Sequence, residues 1–495
     1  MNASASATPT GGREPRLYGN WRAERGWGIG HLSTTATIIV FLAVLAPLLA
    51  ASTAPAAVLP LAGVGVVVVA AIVVRIGGRS AADVLGVRLR FWRARHRGWT
   101  RLSAGVLADD TRGGDLPGVL APLRPLDIDD GRGRRHLLLH NRRSGTLTAI
   151  LRCAPIGLDL ADSDQADQWV AAWGGFLADL GYQPLVRHVA VTVDTAPTGG
   201  DSLATHVATH LEPGAPRLAR QVLSELVADT TARTASVQVW LSVCLDPNRA
   251  TPKPADLLAA CVEVGRWLPG LETELAGCGV AVQGRATLTW LTGAVRAAFD
   301  PAARPHLAAA GLGWADAVPV AAREEWDLYR HESGVSVSWA LREAPRQAVD
   351  AAVLAPLVAP GPYARRVCWL YQPYPADQAA AKVEAQVTAG QIRRAWATRT
   401  RRDETQRDRD DRDRALQAAR EEAAGAGAGR FTLYTTTTVT DDTELSAAVA
   451  DVEQRAGQSR LRLRRLRGAQ AASAPERRAD RRYGAGMPRP GAANP

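Results

Sequence analysis

Residues 32–74 form the most uniform stretch of the pattern, because no charged side chain occurs anywhere within them. Pro47, Ser52, Thr53, Pro55 and Pro60 interrupt that apolar run near its middle. A bilayer core of about 30 Å is crossed by about 20 apolar residues in helical form. The run therefore predicts two spans, at 34–53 and 55–74, joined by a very short turn and packed as an antiparallel pair. Gly63 and Gly65 are placed to allow close approach of the two helices.

Beyond residue 133 the pattern changes to short apolar strands alternating with helical stretches, the rhythm of an α+β or mixed α/β region with ferredoxin-like βαβ units. A hairpin is expected from 136–140 and 146–153, turned at Ser144-Gly145. A helix over 165–180 carries Trp169, Trp173 and Phe176 at spacings of 4 and 3, which marks a core face. Strands follow at 186–193 and 237–245, with helices at 201–211 and 216–229 between them and a further helix over 254–275. Residues 323–331 read as helical. Residues 335–341 alternate valine and tryptophan with serine, as a half-buried strand does. The last folded stretch reads as βαβαβ: a strand at 367–371, a helix of up to about fifty residues, a strand at 431–439, a helix over 442–456 and a strand at 460–466. Alternating charges over 393–422 make the long helix a solvated, salt-bridged rod or a coiled-coil arm.

These segments divide the chain into a cytoplasmic N-terminal segment (1–31), a transmembrane helical hairpin (32–75) and a basic juxtamembrane segment with its connector (76–133). An α+β cytoplasmic domain (134–360), a βαβαβ region with the long charged helix (361–468) and a tail (469–495) follow. The tail and the first sixteen residues lack periodicity, and disorder is expected there.

Charge fixes the expected orientation. Four arginines precede the apolar run, and Arg75, Arg79, Arg88, Arg90, Arg93, Arg95, Arg97 and Arg101 follow it, so the positive-inside rule places both termini in the cytoplasm of a multi-pass cell-membrane protein. A cleavable signal peptide fits poorly, since the run starts late and is too long for an h-region. Arg88, Arg90, Arg93, Arg95 and Arg97 interleave with Phe91, Trp92 and Trp99, the composition of an interfacial helix lying on anionic lipid. The net charge of +10 is otherwise modest, and arginine supplies almost all of the basic side chains, since Lys253 and Lys382 are the only lysines.

Tests for chemistry return little. Cys153, Cys244, Cys261, Cys278 and Cys368 are odd in number and contain no CxxC pair, which supports neither a disulfide framework nor a zinc site. Neither lysine follows a glycine, so no phosphate-binding loop is present, and Gly425, Gly427 and Gly429 read as a linker. His206 and His210 have the spacing of a zinc pair but no third ligand nearby. Asp194 follows a strand and reads as a turn residue. The expectation is a non-catalytic protein with no cofactor.

Four segments together carry a resemblance: Leu17 to Arg22 (LYGNWR), Val193 to Pro197 (VDTAP), Trp326 to Gly334 (WDLYRHESG) and Ser459 to Leu466 (SRLRLRRL). The chain resembles a family of membrane proteins encoded in actinobacterial conjugation loci, over roughly residues 17–470. The resemblance implies a part of a type IV secretion apparatus for DNA or protein transfer. Its hairpin is similar to the small two-span subunit, and its soluble region to the amino-terminal domain of the conjugation ATPase, without the motor. Such a protein is expected to act as anchor and docking platform, with a conjugation-type ATPase, other secretion-channel subunits, an anionic lipid membrane and a homo-oligomer as partners. Two alternatives remain: a type VII secretion membrane component, and a membrane-tethered nucleic-acid binder whose DNA affinity would fall steeply with salt.

Overall fold

The computed structural model describes residues 18–19, 34–53, 55–76, 79–104, 115–130, 133–157, 161–197, 207, 209–212, 214–231, 235–309, 311–345, 347–399, 409, 413, 415–417, 419–420, 427–468 and 470. The expected helix over 201–211, and the first sixteen residues and the tail beyond residue 470 for which disorder is expected, lie outside or mostly outside this set.

The apolar run folds as two helices, α1 (Thr34–Thr53) and α2 (Val58–Val73), joined through a 3-10 turn at Pro55–Ala57. They pack closely where Gly65 meets Ala43, for a Cβ on Gly65 would lie 2.6 Å from the Ala43 carbonyl oxygen. Gly63, by contrast, faces open space. Among the described residues, Pro55–Val73 is the one helical stretch long and apolar enough to cross a membrane, whereas the apolar part of α1, Ala36–Ser52, is shorter. Two two-residue strands, β1 (Arg75–Ile76) and β2 (Arg79–Ser80), pair antiparallel and lead into α3 (Ala81–His96). Ser80 caps α3 by accepting the Asp83 N–H at 3.1 Å. Asp83 in its first turn and Arg93, Arg95 and His96 in its last suit the helix dipole.

The described residues beyond α3 build one large antiparallel sheet with helices on its faces, a mixed helix-and-sheet architecture. Its elements are β3 (Arg101–Ser103), β4 (Leu123–Asp129), β5 (Arg135–Asn141), β6 (Leu147–Pro155), α4 (Ser163–Asp179), β7 (Val186–Pro197), α5 (Arg217–Thr231), β8 (Ala235–Leu245), α6 (Leu257–Gly277), β9 (Val280–Arg285) and α7 (Leu288–Phe299). They continue with β10 (Ala321–Glu324), β11 (Tyr329–His331), β12 (Gly334–Glu343), α8 (Ala355–Val358), β13 (Ala364–Pro373), α9 (Ala376–Arg399), β14 (Gly429–Val439), α10 (Leu445–Gln458) and β15 (Arg462–Arg465). The strand order is β3-β10-β11-β12-β14-β13-β7-β8-β6-β5-β4, with β15 on β12 and β9 on β6.

The largest core joins α4 and α6 to one sheet face through Phe176, Leu180, Val264, Leu268, Leu271 and Leu275 against Leu147, Leu151, Val189, Leu241 and Val243. Burial of these side chains, at about 25 cal/mol per Å² of apolar surface, is the main force holding helices to sheet. Trp173 and Phe176 enter this core as their spacing predicts, and Trp169 closes over Gly279, where φ is +73° and a Cβ would clash with the indole. On the opposite face, Leu123 of β4, Ala322 of β10 and Tyr329 of β11 share a cluster with Phe299 and Ala317. The sheet therefore curls until strands near its two ends contribute to one core.

Three expectations change. Residues 323–331, expected as helix, form most of the β10–β11 hairpin, closed by the Glu325 N–H donating to the Leu328 carbonyl at 2.9 Å. Buried Tyr329 and His331 flank half-buried Arg330, a period-2 pattern too short to outweigh the helix-favouring residues before it. The expected fifty-residue helix is described as α9 only as far as Arg399. Gly429 then starts β14 directly beside Pro373 at the end of β13, so the intervening chain leaves the sheet and returns to the same place. Ala415 and Leu416 border one cavity with Val387, Gln391 and Ala395 of α9, so these residues lie beside α9 rather than further along its axis. Finally, the sheet runs without a break across the expected division at residue 360 and takes in β4, which lies within the expected connector. Over 361–468 the order strand, helix, strand, helix, strand is present, with β13 and β14 adjacent and antiparallel and β15 carried across to β12.

Candidate membrane-anchoring surface

Helix α3 starts eight residues beyond the end of α2 and has two apolar faces. Val84, Val87, Phe91 and Ala94, spaced 3 and 4 apart, are half-buried. Phe91 meets Trp326 edge-on with ring centroids 5.4 Å apart, which fastens α3 to the β10–β11 turn. On the other side Leu85, Leu89 and Trp92, again spaced 4 and 3, stand 58%, 56% and 60% exposed. Arg88 and Arg95 border this ridge on one flank, and Arg90, Arg93 and Arg97 on the other, all of them exposed.

Of the eight residues expected at the membrane interface, the structure gathers seven on exposed positions and turns Phe91 to the folded body. Arg88 sits at the boundary, its guanidinium 5.8 Å from the Trp326 ring. Arg90 donates from Nε to the Gly86 carbonyl at 3.2 Å. Trp92 packs on His96, and beyond the helix end Arg97 covers the face of exposed Trp99 at 5.0 Å. Leu85 and Leu89 were missed by the sequence reading, although their spacing to Trp92 was available.

The other flank of the hairpin is tied down as well. Tyr18 exchanges two backbone hydrogen bonds with Val349, both at 2.8 Å, and its hydroxyl donates to Asp167 Oδ1 of α4 at 2.7 Å. Beside it Gly19 passes close to Ala348, and a Cβ there would lie 3.2 Å from the Ala348 Cα.

The remaining candidates belong to packing. Asp194 is not a turn residue: it lies buried in β7 and accepts from Arg366 Nε at 3.2 Å and from Arg304 Nη2 at 2.9 Å. Burial opposes its ionisation, but Arg366 and Arg304 outweigh it and hold the carboxyl below its ordinary range. In the Trp326 to Gly334 segment, His331 bridges the Phe299 carbonyl at 2.6 Å and Ser336 Oγ at 2.7 Å. Burial is the chief cause that lowers its pKa. Glu332, at φ +37°, accepts from Arg296 and from the Val320 N–H. Arg465 donates to the Asp327 carbonyl, and Gln470 bonds to Ser338, Leu466 and Asp327. Gly427 and Gly429 are not slack: a Cβ would meet Ala178 at the first and the Tyr371 ring at the second. His206 and Gly425 lie outside the described residues. Among the described residues no group of three or more His, Cys, Asp or Glu is placed to hold a metal ion, and all five cysteines are buried.

The scan against family models finds no match for this chain, and the search of curated proteins finds none either.

Proposed function

We propose that this protein is a non-catalytic membrane subunit, anchored by the α1–α2 hairpin, that serves a conjugative or type IV secretion-like transfer apparatus as docking platform for a separate ATPase. The observation that carries the membrane half of this reading is the tethering of both hairpin flanks to one folded body: Tyr18 on Val349 and Asp167 before it, Phe91 on Trp326 after it. A chain that meets one body at Tyr18 before the apolar run and at Phe91 after it has both flanking segments on one side of the bilayer, and the arginines of α3 favour the cytoplasmic side. The ridge of Leu85, Leu89 and Trp92 between two rows of arginine suits the boundary of acyl chains and anionic headgroups.

The secretion half rests on the resemblance. The described residues of the four segments that carry it serve here as contacts that hold the fold, which suits a platform whose surface is used by others. The ferredoxin-like reading of the body is supported by the order β9-β6-β8-β7, in which the third strand in sequence lies between the first two and the fourth flanks the first.

The test is fractionation followed by affinity purification. The protein should stay with membranes after alkaline carbonate washing and should bring down a conjugation-type ATPase from the same locus in mild detergent. Release by carbonate would overturn the anchor, and recovery of the protein without any ATPase would overturn the platform. Recovery with type VII components instead would transfer the platform role to that system.

A further inference from the structure

The strand pairings repeat. In the first half, β4 pairs β5, β5 pairs β6, β6 pairs β8, β7 pairs β8 and β9 joins β6 beyond β5. In the second, β10 pairs β11, β11 pairs β12, β12 pairs β14, β13 pairs β14 and β15 joins β12 beyond β11. Helices fall in corresponding places: α4 and α8 between the third and fourth strands, α5 and α9 between the fourth and fifth, α6 and α10 between the fifth and sixth.

The match reaches single residues. Leu147 lies opposite Leu245, and Val335 opposite Val439. The shift that carries Leu147 onto Val335 carries Ile150 onto Ser338. Past β9 the Ala286 N–H donates to the Ile150 carbonyl, and past β15 the Leu466 N–H donates to the Ser338 carbonyl, both at 2.8 Å. Carried along the fifth strand, Leu245 on Val439 places Trp240 on Tyr434. Trp240 is opposite Thr192, Tyr434 is opposite Cys368, and Thr192 and Cys368 are opposite each other across the β7–β13 ladder. Corresponding residues that face each other mark an approximate twofold axis, here through a buried pair.

We infer that the body is two copies of one ferredoxin-like unit with a leading β-hairpin, joined edge to edge through β7 and β13, and that the Tyr18–Gly19 segment is a staple across their seam. Asp167 belongs to the first unit, on α4, and Val349 to the second, in the corresponding connection between β12 and β13. Tyr18 therefore bonds to both. Other contacts cross the same seam: Asp194 to Arg366, Thr195 Oγ1 to the Arg365 carbonyl at 3.1 Å, and Trp173 of α4 to Trp369 of β13 with ring centroids 6.1 Å apart. The staple precedes the apolar hairpin on the chain, so a pull on that hairpin that reaches Gly19 acts on the joint between the units. The two-unit reading stands independently of the membrane assignment; only this last coupling rests on it.

Hydrogen–deuterium exchange on the full-length protein in detergent tests the inference, with wild type compared against Tyr18→Phe and Asp167→Asn. Tyr18→Phe removes a hydrogen bond to a charged acceptor, so exchange across β7 and β13 should quicken about tenfold, and Asp167→Asn, which keeps an acceptor without the charge, should quicken it less. Protection within the β6–β8 and β12–β14 ladders should stay unchanged. Equal acceleration in all ladders, or no change at the seam, would overturn the staple. Wild-type seam amides exchanging in step with the ladders inside each half would overturn the division into two units. The membrane reading fails separately, if the protein stays monodisperse without detergent.

Discussion

Replacing Asp194 by asparagine keeps the shape of the side chain and removes the charge that neutralises Arg304 and Arg366. The Asp194 side chain is 7% exposed, while the two arginines keep 20% and 23%. Removing one partner of a buried ion pair costs about 3–5 kcal/mol, because the other is left buried without compensation. Water reaches both arginines here and takes up part of the orphaned charge, which places the expected cost near the lower limit, about 3 kcal/mol. With an unfolding entropy of about 2.1 cal/mol/K per residue over a cooperative body that spans roughly residues 115–470, that corresponds to a fall in the unfolding midpoint of roughly 4 °C. Thermal unfolding followed by tryptophan fluorescence, in detergent at neutral pH, reads it directly. Raising the salt from about 0.1 M to 1 M should leave the gap largely intact, since buried pairs are weakly screened. The sign with pH follows from the direction of the shift. A carboxyl held below its unfolded value contributes stability that is fully present above about pH 4 and lost as pH falls through the folded value. The gap between wild type and variant should therefore narrow under acid conditions. A variant with an unchanged midpoint at neutral pH, or a gap erased by salt, would refute the buried-pair argument.

Three further outcomes are expected. His331 is held neutral by burial, so its contribution to stability is complete above about pH 6.5 and declines as pH falls below that value; equilibrium unfolding between pH 7.5 and 5.5 should show the slope in wild type and lose it in His331→Gln. Gly429→Ala places a methyl against the Tyr371 ring at the β13–β14 pair and should destabilise by about 1–3 kcal/mol, measured by denaturant titration. Changing Leu85, Leu89 and Trp92 together to serine should change the unfolding free energy by no more than about 1.5 kcal/mol, about 0.5 for each exposed position. The same variant should show weaker protection of α3 against surface labelling in vesicles that contain phosphatidylserine, and equal labelling of both proteins would remove the lipid contact.

Strong local patterns were legible in the sequence and long-range ones were not. The apolar hairpin, the Ser144-Gly145 turn, the Trp173/Phe176 helix face and the alternating strand of β12 each rest on a period visible within a few residues. The β10–β11 hairpin failed that test, as its strands hold four and three residues and are held by β3, β12 and the Phe299 helix end rather than by their own propensity. Asp194 looked like a turn because its partners, Arg304 and Arg366, are more than a hundred residues away. At the anchoring surface the arginine–aromatic interleaving was visible, but not which aromatic faces inward. Phe91 turns to the body because Trp326 waits there, and only the folded chain brings the two together.

Strand β3 follows α3 directly, yet its partner in the sheet is β10, with Arg101 opposite Arg323. On a ribosome adding about 5–20 residues per second, roughly 10–45 s separate the synthesis of the two. A hairpin delivered to the bilayer on emergence would thus be in place while the strand beside it still lacked a neighbour. The chain's first commitment is then to location, and β10 and β11, which attach the body to that location, are made only after strands β4 to β9 of the sheet. A nascent chain arrested before residue 321 should already fractionate with membranes while the Phe91 side of α3 remains open to solvent and to chaperones, which makes this protein's assembly a matter of timing as much as of contacts.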